Sequence, residues 1–193
     1  MTRRIFASLT ALALTGLAAV AVTSASAELP KGAKAPAFST RAALAGEEFG
    51  FTLGAALAKG PVVLYFYPKA FTRGCTLEAN AFAEAMPSFK AAGASVIGMS
   101  GDDIATLRRF SREECRDAFP VGVASAKIAQ AYDVAMGNSG LTTRTSYVIA
   151  RDGRIVAVHS DADYRGHVEK TLAAVRELKK CGGQGALQSR RRR

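Results

Sequence analysis

An α/β domain, with a central mixed sheet and helices on both faces, is the fold class that this sequence predicts. Two continuous apolar, β-rich runs, Pro61–Tyr67 and Ala94–Ser100, enclose a segment with apolar residues at helical spacing, the pattern of a βαβ unit. Two later β-rich runs, Thr145–Ile149 and Ile155–Val158, flank Arg151-Asp152-Gly153-Arg154, whose Asp-Gly pair favours the tight turn of an antiparallel hairpin. The sheet is therefore mixed. With 193 residues, 49% of them hydrophobic, and no internal repeat, the chain can fill one sizeable core and little more.

The first stretch stands apart from that domain. Arg3 and Arg4 precede a mildly apolar run from Ile5 to Val22, and Ala25-Ser26-Ala27 supplies small residues for cleavage, so residues 1–27 are expected to be a signal peptide. A membrane anchor is the other reading, but Ser8, Thr10, Thr15 and Gly16 interrupt the run, and stable membrane insertion is not expected. Thr2-Arg3-Arg4-Ile5-Phe6 resembles a twin-arginine signal, with ordinary unfolded export an equal alternative. Either route implies an exported, periplasmic protein.

The domain is expected over residues 28–180. Ala37 to Leu53 reads as an N-terminal β-hairpin crossing at Gly46. After the first central strand, Leu77, Phe82, Met86 and Phe89 mark a helix that Pro87 should kink or restart and Gly93 should end. Asp103 to Cys115 is helical by the spacing of Ile104, Leu107 and Phe110, and the short run Phe119–Val123 follows as a strand. Ser125 to Val134 carries Ile128, Ala131 and Tyr132 on one face. A closing helix runs from about Gly166 to Lys180, with Val168, Leu172, Val175 and Leu178 inward. Residues 181–193, from Cys181-Gly182-Gly183 to Arg190–Arg193, read as a flexible basic tail.

The formal charge of +10 falls to +8 when Arg3 and Arg4 leave with the leader. A basic tail attracts anionic surfaces in general, but without interleaved aromatics or a reading helix no specific nucleic-acid binding follows. Only three cysteines are present, Cys75, Cys115 and Cys181, so a disulfide scaffold is excluded and at least one thiol stays unpaired in a monomer. That odd count points to cysteine chemistry.

Directly after the first central strand comes Pro68-Lys69-Ala70-Phe71-Thr72-Arg73-Gly74-Cys75-Thr76-Leu77-Glu78. Thr72 suits an N-cap, which puts Cys75 in the first helical turn, where free N–H groups and the helix dipole favour a thiolate. A small buried cysteine at a strand–helix corner is the plainer reading. Loops at the C-terminal ends of parallel strands are nevertheless where such sheets place their sites.

Tyr67-Pro68-Lys69-x-x-Thr72-x-x-Cys75-Thr76-x-Glu78 resembles the Pro-x-x-x-Thr-x-x-Cys signature of the peroxiredoxins, the alkyl hydroperoxide reductase/thiol-specific antioxidant superfamily. It is most similar to the bacterioferritin comigratory protein, or Q-type, branch. The likeness extends over residues 31 to 180 and includes Arg144-Thr145-Ser146-Tyr147-Val148-Ile149 before Asp152-Gly153, which in that family supplies an active-site arginine. The resemblance implies a thioredoxin-like fold and reduction of hydrogen peroxide or organic hydroperoxides by Cys75 through a sulfenic acid. It also implies recycling by an external dithiol donor such as a thioredoxin-like protein, and a monomer or homodimer.

Under that resemblance Thr72 bonds the peroxide and the sulfur, and Pro68 shields the sulfur from water. Arg144 and the Cys75 amide stabilise charge as the O–O bond breaks, and Glu78 orients Arg144 by a bidentate pair. An exposed helix glutamate and a solvated strand-end arginine are the plainer readings of Glu78 and Arg144, since nothing outside the resemblance brings Arg144 to Cys75. In many Q-type members the resolving cysteine lies five residues after the peroxidatic one, where this chain has Asn80. Cys115 is the candidate substitute, with an inert buried thiol as its alternative, and joining it to Cys75 implies unwinding of the first helical turn. Cys181 could bridge two chains, capture a small thiol, or be incidental.

No cofactor is implied. His159 and His167 lack paired metal-ligand spacing, with His159-Ser160-Asp161-Ala162-Asp163 read as a hydrophilic loop. Gly98-Met99-Ser100-Gly101 lacks the full dinucleotide pattern. Two other functions stay open. A disulfide oxidoreductase on the same fold is opposed by the lack of any Cys-x-x-Cys. A non-catalytic binding module acting through the basic tail would lose its function on truncation after Lys180.

Overall fold

The computed structural model describes residues 28–191, with side chains as far as Lys180. The expected signal peptide lies outside the described residues. Ser39–Leu44 (β1) and Glu47–Thr52 (β2) form the expected N-terminal hairpin, in register from Ser39 opposite Thr52 to Leu44 opposite Glu47. Its two-residue turn, Ala45-Gly46, has φ of 52° and 79°, the left-handed pair that matches strand twist. The short helix Leu53–Lys59 (α1) follows, an element that the sequence reading missed because its seven residues are too few to display a period.

Val62–Phe66 (β3), Arg73–Ala91 (α2) and Ser95–Ser100 (β4) are the βαβ unit, with β3 and β4 parallel. All five β3 residues are buried, as a run without alternation requires. Of the two expectations for Pro87, the restart does not occur: α2 is a single helix that carries Pro87 inside it. The helix ends at Gly93, whose φ is +81°: the amides of Gly93 and Ala94 bond the carbonyls of Lys90 (2.9 Å) and Phe89 (3.0 Å), a Schellman arrangement.

Ile104–Glu113 (α3) starts at Asp103, which caps the amide of Thr106, and Val121–Val123 (β5) pairs parallel with β4. Ala126–Ala131 (α4) starts at Ser125. Thr145–Ile149 (β6) and Ile155–Ser160 (β7) are antiparallel, as the Asp-Gly turn predicts. The seven strands lie in the order β2-β1-β5-β4-β3-β6-β7, with β6 antiparallel to β3. The last helix, His167–Arg191 (α5), passes the expected end at Lys180, so the backbone of the segment expected as a flexible tail is helical as far as Arg191. Among the described residues, no helix is long and apolar enough to cross a membrane.

Alternation along the strands divides the core. Val62, Leu64 and Phe66 join Leu53, Leu57, Ile128 and Tyr132 on one face, under α1 and α4. Val63, Tyr65 and Tyr67 join Cys75, Phe82, Phe89, Phe110, Cys115 and Val175 on the other, under α2, α3 and α5. Stacking of Tyr65 on Phe82, with centroids 4.3 Å apart, locks α2 onto the sheet and adds about 0.5–1.5 kcal/mol beyond buried area. Helices on both faces of this mixed sheet make the fold thioredoxin-like, as the resemblance implied. Its consequence for the site is positional: β3 delivers the chain at Tyr67 to the N-terminus of a helix pinned on the sheet.

Candidate active site

Cys75 is the third residue of α2 and is 1% exposed. Thr72 occupies the N-cap with extended backbone (φ −82°, ψ 148°), but its hydroxyl does not cap the helix and instead donates to the Lys69 carbonyl at 2.9 Å. The preceding loop is held from outside the helix. Asp102 accepts from the Ala70 amide (2.7 Å) and from the Ser100 hydroxyl (2.8 Å), while Thr142 Oγ1 donates to the Tyr67 carbonyl (2.9 Å). Pro68, half-buried, lines an open cleft of about 380 Å³ with Met136, Thr143, Arg144 and Ala162.

Arg144, immediately before β6, reaches the site from the strand beside β3, where Thr145 stands opposite Phe66. Its Nη2 donates to Cys75 Sγ at 3.5 Å, its Nη1 pairs with Glu78 Oε2, and its Nε donates to the Ala162 carbonyl at 3.0 Å. Gly74 makes room for it, since a Cβ there would stand 3.1 Å from Nη2. Arg144 and Glu78 are 9% and 0% exposed, so neither is the solvated residue of the plainer readings. Burial works against the Arg144 charge, but Glu78 and then Cys75 outweigh it and hold its pKa above the ordinary value.

Glu78 departs from the expected bidentate pairing. Only Oε2 meets Arg144; Oε1 is buried without a hydrogen-bond partner, 3.6 Å from His167 Nδ1. Burial pushes the Glu78 carboxyl up to about 8, against the pull of Arg144 in the other direction. His167, dismissed as a ligand, is fully buried, with Nδ1 2.8 Å from Ser146 Oγ and Nε2 3.1 Å from the Asp161 carbonyl. Burial pushes it down to about 4. His159 and Ser160, read as loop, are the last residues of β7, and the His159 ring lies 4.4 Å from that of His167. Among the described residues, no three His, Cys, Asp or Glu side chains gather as a metal site would need.

His167 and Ser146 are the members that sequence reasoning missed. The available signal was positional: His167, Thr171 and Val175 form the most deeply buried stripe of α5, whereas the expected Val168, Leu172 and Leu178 are only half-buried beside it. A polar residue on an apolar helix face asks what satisfies it.

Cys115 follows α3 and is 0% exposed, in the same apolar cluster as Cys75; both are free thiols. Burial, then Glu114 and Asp117, hold its thiol well above the ordinary range. Arg116 and Asp117, next in the chain, have φ of 51° and 57°, two successive left-handed residues without a glycine. Asn80 Nδ2 donates to the Thr76 carbonyl (2.8 Å) and to Glu114 Oε2 (3.2 Å), tying α2 to the end of α3. The Cys181 side chain lies outside the described residues.

The profile of the AhpC/TSA family matches residues 31–158. A chloroplastic peroxiredoxin Q of Populus jackii is 32% identical over 155 residues, covering 79% of this chain and 70% of its own. The crystal structure of peroxidoxin BcpB from Mycobacterium tuberculosis superposes with a TM-score of 0.70 at 31% identity, over 77% of this chain and 97% of that one. A Xanthomonas campestris peroxiredoxin Q structure gives a TM-score of 0.62 at 29% identity, over 72% and 90%. The chain belongs to the AhpC/TSA family, the peroxiredoxins, which are thiol-dependent peroxidases.

Proposed function

We propose that Cys75 is the peroxidatic cysteine, that Cys115 resolves it, and that an external dithiol of the thioredoxin type restores both. The observation that carries this reading is Arg144 Nη2 at 3.5 Å from Cys75 Sγ, with the thiol in the first turn of α2. The thiolate attacks the terminal peroxide oxygen, the O–O bond breaks, and the departing alkoxide or hydroxide takes up a proton to leave as alcohol or water. Arg144 and the N-terminal amides of α2 stabilise the charge that moves from sulfur to oxygen. Thr72 offers its hydroxyl to the incoming peroxide, and Pro68 limits water at the mouth.

The resulting sulfenic acid condenses with the Cys115 thiol, forming the disulfide and releasing water. Because Cys75 sits in an intact turn, with the Thr76 amide on the Thr72 carbonyl at 2.9 Å, that step needs the turn to open. The left-handed pair Arg116-Asp117 stores about 1–2 kcal/mol per residue, which lowers the cost of releasing Cys115 from its side. The donor dithiol then reduces the disulfide and is itself oxidised. Residues 1–27 support export as the setting for this cycle.

The test is rapid-quench oxidation of the reduced protein by hydrogen peroxide, read by intact mass, for wild type and Cys115→Ser. Wild type should lose two hydrogens, and the variant should accumulate one added oxygen on Cys75. A variant that loses two hydrogens as fast as wild type removes Cys115 from the cycle; a wild type no faster than a free thiol removes the peroxidase reading.

A further inference from the structure

We propose that His167 is a positioning residue of the peroxidatic site, sharing one proton with Glu78 Oε1 and thereby setting how firmly Arg144 holds Cys75. This rests on the peroxidase reading of Cys75. The Asp161 carbonyl can only accept, so His167 Nε2, 3.1 Å away, carries the ring hydrogen. That leaves Nδ1 with a lone pair, which accepts from the Ser146 hydroxyl at 2.8 Å and also faces Glu78 Oε1 at 3.6 Å. Oε1 has no hydrogen-bond partner, and both residues are fully buried. A carboxylate oxygen without a partner beside a ring nitrogen whose lone pair is shared only with the Ser146 hydroxyl, out of reach of water, is an unfavourable pair of neighbours, and a single proton between Oε1 and Nδ1 relieves it once that hydroxyl turns its own hydrogen away.

The groups around His167 agree on one proton rather than two. Glu78 of α2 draws it, while Arg144 beside β6 and His159 of β7 oppose a full positive charge on the ring; Asp161 favours that charge from the loop before α5. Lys170, one turn along α5, points at His159 Nδ1 (3.2 Å). Burial pushes Glu78 up to about 8 and His167 down to about 4, so the pair keeps one proton between those limits. With that proton in place, Arg144 is the one cation for the one anion at Cys75. Without Nδ1, Oε1 has no partner but the guanidinium, and Arg144 is drawn from sulfur to carboxylate.

Two variants, His167→Phe and His167→Gln, test this in the full chain. Cys75 oxidation by hydrogen peroxide is followed by rapid quench and intact mass between about pH 5 and 9, with circular dichroism as the check of folding. His167→Phe should slow oxidation about tenfold at neutral pH and move the pH midpoint by about half a unit or more. His167→Gln, which can bond but not exchange a proton, should recover rate while keeping the moved midpoint. A folded variant whose pH profile overlays wild type overturns the proposal, whereas a wild type no faster than a free thiol overturns the peroxidase reading instead. Imidazole 15N spectra of wild type need no variant. A shared proton puts the Nδ1 resonance between those of bare and protonated nitrogen, and a resonance at the bare position overturns it.

Discussion

Arg144→Lys keeps the positive charge and removes the geometry, which makes it the sharpest probe of the site. Arginine serves three acceptors in three directions at once: Cys75 Sγ through Nη2, Glu78 Oε2 through Nη1 and the Ala162 carbonyl through Nε. A lysine has one nitrogen, and in a buried site it settles on the carboxylate, leaving the sulfur without its donor. Losing one preorganised donor to a transition-state charge costs about 2.7–4 kcal/mol, or roughly 100- to 1,000-fold. Since the charge remains nearby, the lower end applies, about 100-fold. The chain has no tryptophan to report on the step, so the second-order rate of Cys75 oxidation is best read by competition with a reporter peroxidase, and by intact mass. Circular dichroism separates loss of rate from loss of fold. A folded Arg144→Lys protein within about fivefold of wild type would refute the assignment of Arg144 to charge stabilisation at the sulfur.

Gly74→Ala should separate stability from rate. Its Cβ would press Arg144 Nη2 from 3.1 Å, so the guanidinium must retreat by a few tenths of an ångström. Oxidation should fall about three- to tenfold, while helix propensity raises stability by about 0.5–1 kcal/mol; an unchanged rate in a denaturant-resistant variant would show that this contact does not matter. Stability should also fall as pH rises past neutrality. Glu78, raised from 4.5 to about 8 by burial, contributes stability that is full below its unfolded value and lost as pH climbs to about 8. His167, lowered from 6.5 to about 4, contributes stability that is lost as pH falls through that range. The two slopes cancel between 4.5 and 6.5, leaving a net loss of about 2 kcal/mol between pH 6.5 and 8, to be read from urea midpoints. A flat profile over that window would contradict the buried single-proton pair.

Much of the architecture was legible because short-range rules decide it. The unbroken apolar run at Val62–Phe66 fits a doubly covered strand best, and the Asp-Gly turn at Asp152-Gly153 favours the antiparallel partner that makes the sheet mixed. Gly46 and Gly93 marked a turn and a helix end that both occur, with φ of 79° and 81°. Where local rules failed, packing had overruled them. Pro87 is carried inside α2 because the helix is clamped to the sheet on both sides of it, through Phe82 and Phe89 in the core. The seven residues of α1 are helical because Leu53 and Leu57 fill the opposite layer.

The nucleophile's setting is written in the chain: a strand, a loop with Pro68 and Thr72, and Cys75 at a helix start are neighbours in sequence, and backbone geometry brings them together. The sequence named Arg144 and Glu78 only through resemblance, because residues separated by 66 positions meet by sheet order and not by spacing. Packing of the closed core sets the rest: Glu78 uses a single oxygen on Arg144, Gly74 yields the space for it, and His167 and Ser146 close the network behind it. The reason is physical. A buried polar group's role is set by which partner burial leaves within reach, and that is a property of the closed core rather than of any stretch of chain.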